Sequence, residues 1–185
     1  MTQLLVSTFE TCLGWTTLAG STVHGPKRGA AENGPLVLRR VAFGFPTGSA
    51  AREHAVGNWP GETRDEQWHP DLEDRLMCYA AGEAMDFDDV AVDLNDFTPF
   101  ARQVLGCCRR IPYGRRMTYR ELAEQAGSPN AARAVGNVMA SNRVPLIIPC
   151  HRVVASGGGL GGYSAPNGLS LKERLLEMEA AAVPV

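Results

Sequence analysis

Ile147-Ile148-Pro149-Cys150-His151-Arg152-Val153-Val154 is the stretch around which the chain is organised. It places a thiol beside an imidazole, behind a proline and inside an apolar run. The thiolate is the reactive form of cysteine, and the neighbouring basic side chains of His151 and Arg152 favour it electrostatically. Pro149 restricts the backbone and helps to fix the direction of the thiol. We therefore interpret Cys150 as a nucleophile, although a lone cysteine is more often a packed core residue.

The length and composition are those of an ordinary globular protein. The chain has 185 residues, of which 44% are hydrophobic and 21% are charged, enough for one large domain or two small ones. No apolar run approaches the roughly 20 residues of a membrane span, and residues 1–20 lack the features of a secretory signal. We expect a cytoplasmic protein without a membrane partner, associated with the nucleoid in a bacterium or nuclear in a eukaryote.

The cysteines do not suggest a structural framework. The five are Cys12, Cys78, Cys107, Cys108 and Cys150. An odd number without a CxxC pair predicts neither disulfides nor a zinc ribbon, and reduced thiols fit an intracellular protein. A site using His24, His54 and His69 has no supporting spacing. We therefore expect no metal site from these residues.

The net charge of −2 conceals an asymmetry along the chain. Residues 1–95 carry 7 Lys and Arg against 14 Asp and Glu, whereas residues 96–185 carry 11 against 6. Between residues 101 and 152, nine arginines accompany only Glu121 and Glu124. Such a segment is either a set of solvated helix faces or an electrostatic footprint for nucleic-acid phosphates.

Residues 1–95 predict short strands followed by helices. The expected elements are strands at Leu4–Phe9, Gly14–Ala19 and Leu36–Phe45 and helices at Ala50–Val56 and Pro70–Gly82, with loops at Gly20–Gly34 and Asn58–Pro70. Leu72, Leu76 and Tyr79 recur at helical spacing and are predicted to lie in the core. The acidic stretch Asp86–Asp96 marks the expected boundary between domains 1–95 and 96–185.

Helix signals are sharper from residue 97 onward. Thr98 followed by Pro99 predicts a helix start. An apolar stripe through Val104 and Cys108 makes Cys107 and Cys108 small core residues rather than reactive thiols.

Two further helices form a helix-turn-helix pattern. Thr118-Tyr119-Arg120-Glu121 is a capping box that opens a helix running to Ala126 and ending at Gly127. Ser128-Pro129 then predicts a second helix through about Ala140. Its face of small residues, interrupted by Arg133, either packs closely on a neighbouring helix or lets the backbone approach a DNA groove.

The C-terminal signals follow. Leu146–Ile148 predicts a buried, strand-like run, and Ser170-Leu171-Lys172-Glu173 predicts a second capping box at the start of the last helix. Leu171, Leu175 and Met178 supply the apolar face of that helix.

The motifs of the second half of the chain, taken together, resemble those of a known family. Pro149–Val153 looks like the active-site signature of the O6-alkylguanine-DNA alkyltransferases, also called methylated-DNA–protein-cysteine methyltransferases. The resemblance runs from about Phe97 to Glu179 and is much weaker over residues 1–95. Its other motifs are Ile111-Pro112-Tyr113-Gly114, Thr118-Tyr119, Ala131-Ala132-Arg133-Ala134-Val135-Gly136, Asn142, Pro145, Gly161-Gly162-Tyr163 and Lys172 with Leu175-Leu176 and Glu179.

The resemblance implies an α+β fold and a DNA repair activity. Residues 1–95 would form a small, ribonuclease H-like α/β domain that supports residues 96–185. The latter would form a mainly helical, winged-helix-like domain with the helix-turn-helix. The implied protein is a monomer that binds alkylated double-stranded DNA and uses no cofactor. It transfers an alkyl group from O6-alkylguanine, and from O4-alkylthymine, to its own cysteine in a single turnover.

The resemblance also implies roles for individual catalytic residues. Cys150 would accept the alkyl group by in-line displacement, and His151 would act through a water as the base. Glu179 would orient the imidazole, which follows the logic of an activated nucleophile. Tyr119 would donate a proton to the leaving base, and Asn142 would link the recognition helix to the active-site turn.

The DNA contacts and the base pocket follow from the same resemblance. The target base must leave the duplex to reach a buried sulfur, and Arg133 would fill the gap in the stack. The helix would lie in the minor groove. The implied DNA-binding residues are Thr118, Tyr119, Ala131, Ala132, Arg133, Ala134 and Gly136, and the implied pocket residues are Pro145, Val153, Tyr163 and Ser164. The Ser164–Gly168 loop is longer than the family's usual spacing.

Alternatives remain open for the residues and for the whole chain. Tyr119 could simply pack on the next helix, Asn142 could cap a turn, and Glu179 could be a solvated carboxylate with Glu177 as a competitor for its role. The chain could be a non-catalytic alkyltransferase-like protein that only binds lesions, although such proteins replace the cysteine. A helix-turn-helix regulator and a thiol hydrolase are further alternatives that lack supporting motifs.

Overall fold

The computed structural model describes residues 3–22 and 35–182. Most of the predicted Gly20–Gly34 loop, including His24, lies outside the described residues. The first part contains β1 (Leu4–Thr11), β2 (Gly14–Thr22), β3 (Leu36–Phe45), α1 (Gly48–Val56), β4 (Thr63–Asp65) and α2 (Pro70–Ala80). The second part contains α3 (Pro99–Arg109), β5 (Met117–Thr118), α4 (Tyr119–Gln125), α5 (Ala132–Ala140), a 3₁₀ turn (Cys150–Arg152), β6 (Val153–Val154) and α6 (Gly168–Ala182).

The first part is a four-stranded sheet with two helices. The strand order is β3-β2-β1-β4, with antiparallel β1–β2 and β2–β3 pairs and a parallel β1–β4 pair. The three predicted strands are confirmed, and β2 extends further, to Thr22. The interpretation of Asn58–Pro70 as irregular misses β4. Its three residues are all exposed, so no alternation of buried and exposed positions marks it as a strand.

One hydrophobic core joins the two parts. It includes Leu18, Leu38 and Leu76 from the first part and Leu105 and Leu175 from the second. The free edge of β3 is also tied to the second part, where Val41 N–H donates to the Arg143 carbonyl at 2.8 Å. A boundary at residue 95 therefore separates the sheet from helices α3 to α6, but it does not separate two cores.

The predicted starts of α3 and α4 are confirmed. Thr98 caps α3 by accepting from Ala101 N–H at 3.2 Å, and Pro99 follows at the first helical position. The capping box of α4 is complete, because Thr118 Oγ1 accepts from Glu121 N–H and the Glu121 carboxylate accepts from Thr118 N–H. Cys107 and Cys108 are fully buried, as predicted.

The predicted start of α5 is wrong. Ser128 N–H donates to Ala123 O at 2.8 Å and closes the end of α4, while Ala131 N–H donates to Ser128 O at 2.9 Å. Residues 128–131 are therefore a turn, and the helix begins only at Ala132. The connection from α4 still reverses at Gly127, whose φ of 71° is a left-handed value that glycine adopts without strain.

Two other predictions are corrected. Leu146–Ile148 is buried but is not a strand, because Leu146 has a φ of 72° and the chain turns there. The second capping box does not form at the start of α6, which begins at Gly168. The Ser170 hydroxyl instead donates to Asn167 O at 2.7 Å. Leu171 and Leu175 are nevertheless buried, as predicted.

The predicted α+β class is confirmed, with an N-terminal α/β part and a mainly helical C-terminal part. Among the helices of the described ranges, none is long and apolar enough to cross a membrane.

Candidate active site

Cys150 is the first residue of the 3₁₀ turn that lies within the Pro149–Val153 motif. Its N–H donates to Ile148 O at 2.8 Å, and Arg152 N–H donates to Pro149 O at 2.9 Å. The Asn142 side chain, just beyond α5, donates to the same Ile148 carbonyl at 2.8 Å and accepts from Val144 N–H at 3.1 Å. Asn142 therefore connects the end of α5 to the cysteine turn. The cysteine is only 7% exposed.

A cavity of about 600 Å³ leads from the surface of α5 to Cys150. It brings together several of the predicted DNA-binding and pocket residues. The lining residues are Tyr119, Ala132, Arg133, Gly136, Met139, Ala140, Cys150, Gly162, Tyr163 and Ser164. A space of this size is ample for a nucleobase next to the sulfur.

Four of the predicted DNA-binding and pocket residues do not line either cavity that reaches Cys150. Thr118 and Ala131 occupy the cap positions of α4 and α5, and Ala134 is exposed on the surface of α5. Val153 is fully buried in the main core and pairs with Met117 between β6 and β5. The structure therefore places Val153 in the packing of the site and not at its surface.

A second cavity of about 230 Å³ also reaches Cys150. It contains the predicted pocket residue Pro145 together with Asn142, Tyr163 and Ser164. Its opposite wall comes from the first part of the chain and includes Phe45 and His54. The extended loop after Tyr163 contributes to this wall through Ala165 and Pro166.

A buried hydrogen-bond network lies beside the cysteine and centres on Glu179. The carboxylate accepts from His151 Nε2 at 2.9 Å, from Arg152 Nη2 at 2.9 Å and Nε at 3.0 Å, and from Gly114 N–H at 3.1 Å. His151 and Glu179 are completely buried. Glu179 is thus a buried partner of the histidine, whereas its competitor Glu177 is exposed.

Tyr79 also belongs to this network, although it lies on α2 in the first part. Its hydroxyl donates to Glu179 Oε1 at 2.7 Å and is 3.2 Å from His151 Nε2. Its helical spacing with Leu72 and Leu76 predicts a core position, which is confirmed, but gives no indication of the polar contact.

The electrostatics of the network favour an ionised Glu179 and a neutral His151. Burial raises the pKa of Glu179, but hydrogen bonds and charge from His151 and Arg152 outweigh it and lower that pKa to about 2. Burial lowers the pKa of His151. Because Nε2 donates to the carboxylate, the lone pair of the neutral ring is on Nδ1. That atom is buried and has no hydrogen-bond partner among the described residues.

Neighbouring groups have opposing effects on the pKa of the Cys150 thiol. Burial raises the pKa of Cys150, while the Asn142 side chain and the positive charge of Lys172 lower it. Lys172 is fully buried, and its ammonium donates to Val153 O at 2.6 Å. The cation acting on the sulfur is therefore Lys172. Arg152, the cation that the motif itself suggests, is neutralised by Glu179.

Tyr119 lies at the mouth of the larger cavity. Its ring approaches Gly161 so closely that a Cβ added there would lie 2.7 Å from the ring, and Gly161 has a φ of 72°. Burial raises the pKa of Tyr119, so the hydroxyl is a proton donor at neutral pH. Lys172 Nζ is 5.9 Å from the centre of the Tyr119 ring.

The arginines of residues 101–152 divide into two groups. The first group donates hydrogen bonds to backbone carbonyls, a cysteine sulfur or carboxylates of the protein and consists of Arg109, Arg110, Arg143 and Arg152. The exposed side chains without a hydrogen bond or ion pair among the described residues are those of Arg102, Arg115, Arg116, Arg120 and Arg133. Only this second group is free to contact phosphates.

No cluster of three or more His, Cys, Asp or Glu side chains suited to a metal ion occurs in residues 3–22 and 35–182. All five cysteines are free thiols.

Comparison with known proteins gives a consistent set of relatives. A family model described as the DNA-binding domain of 6-O-methylguanine DNA methyltransferase matches residues 99–181. Methylated-DNA–protein-cysteine methyltransferases of Mycobacterium tuberculosis are 42% identical over 123 residues, covering 63% of this chain and 72% of theirs. The protein of that name from Shigella flexneri is 43% identical over 108 residues, covering 58% and 61%.

Solved structures extend the similarity to nearly the whole chain. The crystal structure of Mycobacterium tuberculosis OGT in complex with DNA is 31% identical with a TM-score of 0.72, covering 97% of this chain and 95% of that one. An O6-methylguanine-DNA methyltransferase from Pyrococcus kodakaraensis shares the fold with a TM-score of 0.63 at 23% identity, covering 94% and 98%.

Sequence reasoning misses two polar residues of the site, Tyr79 and Lys172. Tyr79 carries no signal of its own, because a tyrosine on an apolar helical stripe is a common core residue. For Lys172 a signal exists, since its neighbours Leu171, Leu175 and Leu176 are all buried. A lysine beside such a stripe is a candidate for burial.

Proposed function

The chain belongs to the methylated-DNA–protein-cysteine methyltransferase family, and on that premise we propose that it repairs alkylated DNA by a single transfer. It binds duplex DNA through α5, takes an O6-alkylguanine into the larger cavity and moves the alkyl group to Cys150. O4-alkylthymine is a second substrate, because its alkylated oxygen presents the same reacting carbon.

One observation carries the proposal. Cys150 is the thiol at the inner end of a cavity that opens beside the small residues of α5, next to a neutral, buried imidazole with a free Nδ1. A nucleophile, a base and a space for a flat ligand thus converge. This is the arrangement that nucleophilic catalysis requires.

The transfer is a displacement at carbon. Cys150 Sγ forms a bond to the alkyl carbon while the carbon–O6 bond breaks, and the bonding electrons stay with the guanine. The thiol proton passes through a water to His151 Nδ1, because no direct hydrogen bond joins the sulfur and the ring among the described residues. Glu179 holds Nε2–H and stabilises the imidazolium.

The leaving guanine gains a proton as it departs. Tyr119, which is protonated at neutral pH, donates its phenol proton to the base, and the proton taken up by His151 returns through water to the tyrosinate. The products are neutral guanine in DNA and a thioether on Cys150. A thioether is a poor leaving group, so each chain acts once.

Binding and base extrusion use the exposed face of α5. The small side chains of Ala132 and Gly136 let the helix approach a groove, and Arg133 fills the space that the extruded base leaves. Arg115, Arg116 and Arg120 contact phosphates on either side and contribute affinity that is independent of sequence.

The test is to incubate the protein with duplex DNA carrying O6-methylguanine and to weigh its peptides. We expect one methyl group on the peptide that contains Cys150 and none on the Cys150→Ala variant. Methyl on another residue, or intact O6-methylguanine with an unmodified protein, would overturn the proposal.

The alternative is a lesion-binding protein without transfer. Tight binding to O6-methylguanine duplexes with no change in the mass of the Cys150 peptide would establish it. The presence of the cysteine at the inner end of the cavity favours transfer.

A further inference from the structure

Among the described residues of the first part, Tyr79 is the one whose side chain lies within hydrogen-bond distance of the proposed catalytic histidine. We infer that Tyr79 is a positioning residue for the alkyl transfer, whose hydroxyl holds Glu179 in place and sets the basicity of His151. The inference rests on the proposed function, and it assigns to residues 1–95 a part in the chemistry beyond support.

The geometry of Tyr79 is fixed by its surroundings. Its side chain is 1% exposed and packs edge to face against Phe87 and Tyr113, with ring centroids 6.1 and 6.0 Å away. Leu72 and Leu76 anchor the same face of α2 in the core. The hydroxyl therefore cannot leave Glu179 without a shift of the helix.

The direction of the hydrogen bond follows from the state of the hydroxyl. Burial first, and then the charge of Glu179, raises the pKa of Tyr79 well above its ordinary value. The phenol stays protonated and donates to Glu179 Oε1. The same oxygen also accepts from His151 Nε2 and from Arg152 Nη2, so Tyr79 is one of three residues that donate to this acceptor.

Because Tyr79 donates to the same oxygen, the carboxylate stabilises the protonated form of His151 less strongly. Glu179 favours a charged His151, whereas burial and the positive charges of Arg152 and Lys172 oppose it. The hydrogen bond from Tyr79 disperses negative charge on Oε1 and adds to the opposition. The imidazole is thus kept neutral before the reaction but close to a group that stabilises the imidazolium formed during it.

The contact also couples distant segments of the chain. Tyr79 is separated from His151 by 72 positions and from Glu179 by 100. A displacement of α2 relative to α6 would lengthen this hydrogen bond and change the orientation of the imidazole ring. Proton transfer in the second part therefore depends on how the first part packs.

The experiment compares Tyr79→Phe with Tyr113→Phe. Both variants keep the aromatic ring, but the Tyr113 hydroxyl donates to Gly82 O at 3.2 Å and does not touch Glu179. Two quantities are measured on the full chain: the His151 pKa from ¹⁵N chemical shifts of the ring, and the pH profile of the single-turnover rate on O6-methylguanine duplexes.

We expect Tyr79→Phe to raise the His151 pKa, and the acidic limb of the rate profile, by about one pH unit, which slows transfer about tenfold at pH values below both pKa values and much less at alkaline pH. Tyr113→Phe should change neither. A slower rate with an unchanged His151 pKa and rate profile would show a merely structural role and overturn the inference, as would no effect at all.

The two proposals fail in different ways. If the wild-type protein transfers no methyl group, the proposed function fails, but the ring titration still reports on Tyr79. If the wild-type protein transfers methyl and the two tyrosine variants behave alike, only the role of Tyr79 fails.

Discussion

The two parts of the chain bury charged groups in different ways. In the described residues of the first part, Glu73 is the acidic residue that is buried as a whole, and it accepts from the neutral groups Ser7 Oγ at 2.6 Å and Gln67 Nε2 at 2.9 Å. The second part buries His151, Arg152, Lys172 and Glu179 within one region around Cys150. The first arrangement satisfies a single group locally, whereas in the second His151, Arg152 and Glu179 are paired with one another and Lys172 donates to backbone carbonyls beside them.

This difference between the two networks predicts which substitutions should most affect stability and transfer. Buried charges cost free energy unless they are paired and hydrogen-bonded, so an interdependent set persists where it has a use. We expect variants in the second network to affect both stability and transfer. Matched variants around Glu73 should affect stability alone.

The largest expected effect is that of Glu179→Gln. It removes the counter-charge of buried Arg152 and the acceptor of His151, and it should lower the free energy of unfolding by about 3 to 5 kcal/mol. Transfer should fall at least about 100-fold. Glu73→Gln is the control, with a cost of about 1 to 2 kcal/mol and normal transfer. Urea unfolding and single-turnover rates measure both, and equal losses of stability in the two variants would contradict the contrast.

Low pH should destabilise the folded protein by protonating Glu179. The pKa of Glu179 in the folded protein is about 2, below its ordinary value of 4.5. Its contribution is therefore complete above about pH 4.5 and is lost as the pH falls toward 2, by about 3 kcal/mol in total. Urea midpoints measured between pH 6 and 2.5 should show this loss. The slope should be shallower in Glu179→Gln, and parallel curves for the two proteins would refute the assignment.

Arg133→Ala should separate base extrusion from chemistry. Because the arginine fills the gap in the stack, its loss should slow transfer from duplex DNA about 10- to 100-fold. Transfer from O6-methylguanine in a single strand, which needs no extrusion, should be unchanged. Arg102→Ala, also exposed but on α3, is the control. If Arg133→Ala repairs duplexes at the normal rate, the role of Arg133 in extrusion is wrong.

Lys172→Met should have a smaller effect on transfer, exerted mainly through the pKa of Cys150. Without this cation the pKa of Cys150 rises further, and transfer at neutral pH should fall about tenfold. The pH dependence of Cys150 alkylation by iodoacetamide should move upward with it. Arg174→Met, which changes an exposed cation on the same helix, should leave both unchanged. A normal alkylation profile in Lys172→Met would show that the lysine serves only to pack the site.

Much of the second part could be predicted because its signals are local. A capping residue, a proline at the first helical turn or a Pro-Cys-His motif acts on residues next to it, so Thr98, Thr118 and Cys150 could be interpreted from short windows. The start of α5 differs from the prediction because a serine in the position of Ser128 can make two kinds of local hydrogen bond. It can cap a new helix or close the previous one, and its hydrogen bond to Ala123 selects the second.

Less of the site could be predicted from the first part, because its residues contact the site only through long-range packing. Tyr79 occupies an apolar helical position, and only the packing of α2 against the second part gives its hydroxyl a charged partner. The same holds for Phe45 on β3 and His54 on α1, which line the second cavity opposite residues of the second part. Contacts of this kind depend on how elements meet and leave no pattern in the sequence.

The most direct test of the account is the stoichiometry of transfer. Protein is mixed with a tenfold excess of O6-methylguanine duplex, and the repaired guanine is counted until the reaction stops. We predict one repaired base per chain, one methyl group on Cys150, and no repair by Cys150→Ala. Continued turnover beyond one base per chain, or repair without a methylated Cys150, would contradict it.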